Sequence, residues 1–272
     1  MRTIKLVLQY DGTRYAGWQR QTRRRAIAKG HRSPVTRHPS KTVQETVERA
    51  LETALRRKVC LVASGRTDAG VHAAAQVAHF STRGKVDTWR LKAALNGILP
   101  RDVRVADIRE TSRSFHARFD TRTKTYAYVI SLGAKKAAFE LPWVTEVSYD
   151  LDLRAMRRGA RVLVGRRDFK SFQGHDRAVR SSRTRVDAIQ IRKTQDKTGL
   201  PFLSGRTFVL IEIKAVGFLR GMVRNIVGTL IDVGRGRLKA GSVQAILDGR
   251  DRRLAGPCAP ARGLFLKDVS YE

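Results

Sequence analysis

The stretch Gly65-Arg66-Thr67-Asp68-Ala69-Gly70-Val71-His72 puts one carboxylate beside an arginine and between two glycines. On an exposed loop, glycines let a substrate backbone come close, and Asp68 there could act as a nucleophile or a base; the plainer alternative is a turn whose Asp68 caps the residues after it. Acids are scarce in this chain, with 24 Asp and Glu against 55 Lys and Arg in 272 residues. A carboxylate turned into a closed pocket stays ionised only if a nearby cation offsets its desolvation. Arg224 is the candidate cation. It interrupts an apolar run, Met222-Val223-Arg224-Asn225-Ile226-Val227-Gly228, in which Gly221, Asn225 and Gly228 would admit another backbone. The competing arrangement makes Arg220 and Arg224, four residues apart, one solvent-facing stripe.

Other chemistries find no support in the spacing. His72, His79 and His116 form no His-x-x-x-His or His-Glu pattern, so no metal is expected. Ser64 and Ser112 lack evident His and Asp partners, and no phosphate-binding or dinucleotide-binding glycine loop occurs. Cys60 and Cys258 stand among small and aliphatic residues, which reads as packing rather than a disulfide or a zinc site. The formal net charge of +31 calls for a polyanion, and nucleic acid fits it better than a small anion or a membrane surface. Tyr15, Trp18, Phe115, Tyr126 and Phe172 lie among arginines, the pairing of π-face and cation that an unstacked base needs. The apolar segment from Phe218 to Val233 is broken by Arg220, Arg224 and Asp232, so no membrane span is expected, and the polar alternation of the first residues implies a cytoplasmic address.

The elements that must position these residues follow from periodicity. Ile4, Leu6 and Leu8 alternate with Lys5, Val7 and Gln9 as in a half-buried strand, which ends in the turn Tyr10-Asp11-Gly12-Thr13. Residues 22 to 41 carry no acid and few apolar side chains and read as a mobile basic loop. Thr42 and Glu45 make a capping box for a helix whose stripe is Val43, Val47, Ala50, Leu51, Ala54 and Leu55, ending near Arg57. Strands are expected at 58–63, 76–80 and 103–108, with a helix at 89–96. Further strands are expected at 125–132, 183–191, 207–216 and 264–271, with helices at 153–164 and 243–247; the pair 183–191 and 207–216 should form an antiparallel hairpin. Gly217 should open the strongest helix and Gly234 with Gly236 should stop it. The chain thus predicts an α+β protein of two lobes, residues 1–112 and 113–272.

Six ordered segments resemble one family. Tyr10-Asp11-Gly12-Thr13-x-Tyr15-x-Gly17-Trp18-Gln19-Arg20-Gln21, Thr42-Val43-Gln44-Glu45, Gly65 to His72, Phe115-His116-Ala117-Arg118-Phe119, Asp168-Phe169-x-Ser171-Phe172 and Met222 to Gly228 are similar to the TruA-type tRNA pseudouridine synthases, across nearly the whole chain. The resemblance implies isomerisation of uridine to pseudouridine at positions 38, 39 and 40 of the tRNA anticodon stem-loop, without a cofactor. It implies a homodimer, and in each lobe a mixed, largely antiparallel sheet flanked by helices, with the active-site cleft between lobes. It makes Asp68 the nucleophile, attacking either ribose or uracil. Arg66 would help flip the target nucleotide, Tyr126 would stack on the uracil, and Arg224 would pair with Asp68. Arg14, Arg20, Arg23, Arg24, Arg25, His72 and Arg118 are expected to contact RNA. The chain departs from the family's short link between Gln21 and Thr42, where its basic insertion should add phosphate contacts through Arg23, Arg24, Arg25, Lys29, Arg32 and Arg37. The competing functions are a catalytically silent RNA-binding or ribosome-associated protein and a metal-dependent nuclease.

Overall fold

A computed structural model describes residues 1–20, 41–133, 142–175, 181–195 and 207–272. The basic insertion, with Arg23, Arg24 and Arg25, lies outside these residues. The chain forms two compact units, residues 1–121 and 122–272. Residues 113–121 therefore belong with the first unit, where the Ala117 N–H donates to His79 Nδ1 at 3.1 Å.

The first unit contains β1 (Arg2–Tyr10), α1 (Val43–Leu55), β2 (Val62–Ala63), β3 (His72–Thr82), α2 (Thr88–Ile98) and β4 (Val103–Thr111). β1 runs antiparallel between β3 and β4, and β2 pairs antiparallel with β3. The expected alternation holds: Ile4, Leu6 and Leu8 are fully buried. The Thr42 side chain accepts from the Glu45 N–H at 3.3 Å and starts α1, whose Val43, Val47, Ala50 and Leu51 face the core. Each large aliphatic side chain buried in this way stabilises the fold by roughly 1.5–3 kcal/mol. Arg56, in the left-handed region at φ 53°, ends the helix one residue before Arg57.

The second unit contains β5 (Thr123–Leu132), β6 (Thr145–Val147), α3 (Leu153–Arg161), β7 (Gly165–Asp168), β8 (Arg183–Gln195), β9 (Thr207–Ala215), α4 (Met222–Gly234), α5 (Ser242–Gly249) and β10 (Leu264–Ser270). Its strands lie in the order β10-β5-β9-β8-β7, all antiparallel, with β6 added parallel to β5. Each unit therefore sets its first strand between two later antiparallel ones and carries helices beside the sheet. The α+β class and the mixed, mostly antiparallel pairing match expectation, as does the β8–β9 hairpin.

Four expectations are corrected. The strand expected over 58–63 shrinks to two residues. α4 begins at Met222 rather than at Gly217, because its N-cap Gly221 is left-handed at φ 66° and separates residues 217–220 from the helical path. β6 and β7 went unrecognised because they are short, and Gly165-Arg166-Arg167-Asp168 is a strand only through its register with Arg183–Val186 of β8. Cys60 and Cys258 are exposed thiols rather than packing residues.

Candidate active site

Asp68 sits on the eight-residue connection between β2 and β3, which pair as a hairpin with Val62 opposite His79. Buried polar groups close the base of this connection. The Ser64 N–H donates to the Val77 carbonyl at 2.8 Å, its hydroxyl donates to Gln76 Oε1 at 2.8 Å, and Gln76 Nε2 donates to the Gly65 carbonyl at 3.0 Å. The residues after β1 grip the far side. Tyr10 and Thr67 share a hydroxyl hydrogen bond of 2.8 Å, the Trp18 N–H donates to the Thr67 carbonyl at 3.1 Å, and the Gly70 N–H donates to the Tyr15 carbonyl at 3.3 Å. Burial pushes the Tyr10 phenol up to about 12, so ionisation does not break the Thr67 bond near neutral pH.

Two glycines make this grip possible. A Cβ on Gly12 would stand 2.0 Å from the Val71 carbonyl oxygen, and one on Gly17 would stand 2.6 Å from the Thr67 carbonyl oxygen. Gly17 also needs φ +94°, which side-chain-bearing residues rarely adopt. The Tyr10-to-Trp18 segment is therefore a cradle for the aspartate loop. It leaves Asp68 half-buried and Arg66 exposed. A group held by several backbone bonds is already oriented before substrate arrives, the arrangement that covalent catalysis favours.

In the second unit Tyr126 is buried on β5, opposite Ile213 of β9 and Leu266 of β10, and the Phe218 ring meets it edge-on at 5.0 Å. Arg224 lies in the first turn of α4, half-buried, where its charge opposes the helix dipole by about 0.3–1 kcal/mol. Its Nε donates to the Ala259 carbonyl at 2.7 Å, and the Ala259 N–H returns a bond to the Arg224 carbonyl at 3.1 Å. The segment holding Ala259 can cross α4 this closely because Gly228 carries no side chain; a Cβ there would lie 1.7 Å from the Pro257 carbonyl oxygen. Burial pushes the neighbouring Tyr128 hydroxyl up to about 12, against the opposing pull of Arg224 and Arg262. The Asp168-to-Phe172 motif supports the same helix start, since Asn225 Nδ2 donates to the Phe172 carbonyl at 2.8 Å. Arg220 lies before the helix, its guanidinium on the His175 carbonyl at 3.2 Å, so the solvent-facing stripe of Arg220 and Arg224 does not form.

The expected site residues thus divide, Asp68 and Arg66 in the first unit, Tyr126 and Arg224 in the second. Arg14, Arg20 and Arg118 are exposed. His72 is corrected: at 1% exposure it cannot meet RNA. Its Nδ1 lies 3.1 Å from both the Gly12 N–H and Asp11 Oδ1, which makes it a latch between the cradle and β3. Trp18 and Phe172 are also corrected, because both are buried at 1% exposure or less and offer no face to a base, while Tyr15 spends its hydroxyl on Asp102 at 2.7 Å. The cradle residues Gly12, Gly17, Thr67 and Gln76 were not anticipated as supports for Asp68. Their signal was two turn-type glycines one strand away from the aspartate. Among the described residues no three His, Cys, Asp or Glu side chains converge as metal ligands, and no helix is long and apolar enough to cross a membrane.

The aspartate loop thus lies in one α+β unit and the helix-start arginine in the other. The chain belongs to the tRNA pseudouridine synthase family, whose model matches residues 6–120 and 160–272. It is 37% identical over 271 residues to tRNA pseudouridine synthase A 2 of Clostridium perfringens, covering 100% of both chains. It is 36% identical over 271 residues to tRNA pseudouridine synthase A of Acetivibrio thermocellus, again covering 100% of both. The enzyme of that name from Thermoanaerobacter sp. is 37% identical over 275 residues, with the same coverage. Family membership makes the chain an isomerase that forms pseudouridine from uridine in tRNA.

Proposed function

We propose that this isomerase acts on uridines 38, 39 and 40 of the tRNA anticodon stem-loop, with Asp68 as its nucleophile. The carboxylate attacks the nucleoside, the N-glycosidic bond breaks, the uracil turns, and a bond from its C5 to the ribose replaces the lost one as Asp68 leaves, with the C5 proton given up and one proton taken up at N1. Atoms and electrons balance within the substrate, so the reaction calls for no redox partner. Arg66, exposed beside Asp68, displaces the target nucleotide from the stem, at a cost of a few kcal/mol. Tyr126 stacks on the extruded uracil. Arg224 serves as the basic partner of the Asp68 carboxylate, by resemblance to the family. The working form is a homodimer, by resemblance to the family. Arg14, Arg20 and Arg118 bind phosphates, and Arg23, Arg24 and Arg25 add nonspecific phosphate contacts.

The observation that carries this reading is the cradle: hydrogen bonds on both flanks and two close glycine contacts hold one loop, and its central residue is a half-buried aspartate. A capping turn has no use for so much support. The test is an unmodified tRNA transcript with uridines in the anticodon arm, incubated with excess EDTA and mapped by carbodiimide-blocked primer extension. Wild type should yield pseudouridine at positions 38 to 40, and Asp68→Asn should bind the tRNA while forming none. Modification elsewhere in the tRNA would overturn the positional assignment, and an active Asp68→Asn would overturn the nucleophile.

A further inference from the structure

The aromatics expected to hold bases are mostly core residues, yet two other aromatics of the first unit, Trp89 and Phe119, are exposed. Phe119 is 74% exposed. A lone exposed phenylalanine needs no explanation by itself. Its mount distinguishes it. The ring stacks on the His116 imidazole with centroids 4.2 Å apart and planes at 25°, and His116 in turn meets His79 at 5.0 Å. His116 Nδ1 accepts from the N–H groups of both Arg118 and Phe119 at 3.2 Å, and the His116 N–H donates to Asp120 Oδ2 at 2.8 Å. Ala117, between them, is anchored to His79. A flat ring is therefore backed by a second flat ring on a turn that its own hydrogen bonds hold rigid. With one side on the imidazole and the Arg118 guanidinium loosely over the ring, three-quarters of the residue remains exposed. The Arg118 guanidinium lies 5.7 Å from the ring centre and supplies the cation.

We infer that Phe119 is a stacking platform for an unpaired nucleobase of the bound tRNA, with Arg118 on the adjoining phosphate. The inference rests on the tRNA reading above but gives a role to a residue that reading does not use. Stacking on a π-face is indifferent to base identity and is lost when the side chain is merely apolar. The surroundings favour a nucleobase over a second protein, since the cation over the ring is the exposed Arg118 and Arg113, earlier in the same segment, is exposed as well.

The test compares Phe119→Ala, Phe119→Leu and Phe119→Trp for affinity to the anticodon-arm transcript and for pseudouridine formation. Thermal unfolding of the three should be unchanged, as the side chain is exposed. Ala and Leu should both weaken tRNA binding, roughly five- to 150-fold, raising KM with kcat near wild type. Trp should bind like wild type and show fluorescence quenched on adding tRNA. A Leu variant as tight as wild type, or an Ala variant unchanged in both assays while wild type is active, would overturn the platform and leave the catalytic reading intact. A wild type that neither binds nor modifies tRNA would overturn both.

Discussion

At the residue scale the aspartate is set by its neighbours more than by its own contacts. Gly17 combines φ +94° with a Cβ position 2.6 Å from the Thr67 carbonyl oxygen, so Gly17→Ala has no strain-free accommodation. The substitution should destabilise the protein by about 1–3 kcal/mol, as conformational strain and a backbone clash act together. It should also lower kcat, because the yielding group is the peptide that precedes Asp68. Urea unfolding measures the first effect and single-turnover pseudouridine formation the second. If Gly17→Ala lost stability and kept full activity, the cradle would be a structural feature without a part in catalysis. Gly12 and His72 serve the same loop from the other side, which gives a buried histidine beside an active-site motif a plain mechanical role.

At the scale of elements, β3 links the aspartate loop to the turn that carries Phe119. Its His79 is held neutral: burial lowers the imidazole's pKa below the ordinary value, and the charge of His116 lowers it further, against the attraction of Asp120 and a bond to Val62. The Nδ1 of His79 must be unprotonated to accept the Ala117 N–H. Between the lowered folded value and the unfolded value of about 6.5, the unfolded chain binds the extra proton. The stabilisation is therefore fully present above about pH 6.5 and is lost as the pH falls through the folded value. Unfolding midpoints should drop from pH 7.5 to pH 5, and His79→Gln should show a shallower drop. An equal slope in that variant would assign the acid sensitivity to other groups.

On the scale of the whole molecule, a net charge of +31 makes association with tRNA dependent on salt. Each neutralised phosphate should steepen the plot of log affinity against log salt by about 0.7–0.9. Removing residues 23–40, with Arg23, Arg24, Arg25, Lys29, Arg32 and Arg37, should weaken tRNA binding and flatten that slope, with kcat for saturating tRNA little changed. Titrations at several salt concentrations would check this, and an unchanged slope would show that the insertion stays away from the phosphates.

What could be read before any fold was known depends on near neighbours in the chain. The period of β1, the Thr42 cap, the apolar run of α4 and the isolation of Asp68 between glycines all belong here, since each is decided within one or two turns of backbone. The glycines at 12, 17 and 228 were visible as residues, yet their use was not, because Val71, Thr67 and Pro257 reach them only after folding. The same holds for the burial of Tyr15, Trp18, Phe172 and His72 and for the exposure of Cys60 and Cys258. β7 is the sharpest case, a polar segment that becomes a strand through its partner alone. Chemistry follows residue type and local spacing, whereas burial and close approach follow from which distant segments meet, and side chains as alike in sequence as Trp18 and Phe119 were sorted to the core and the surface by that meeting.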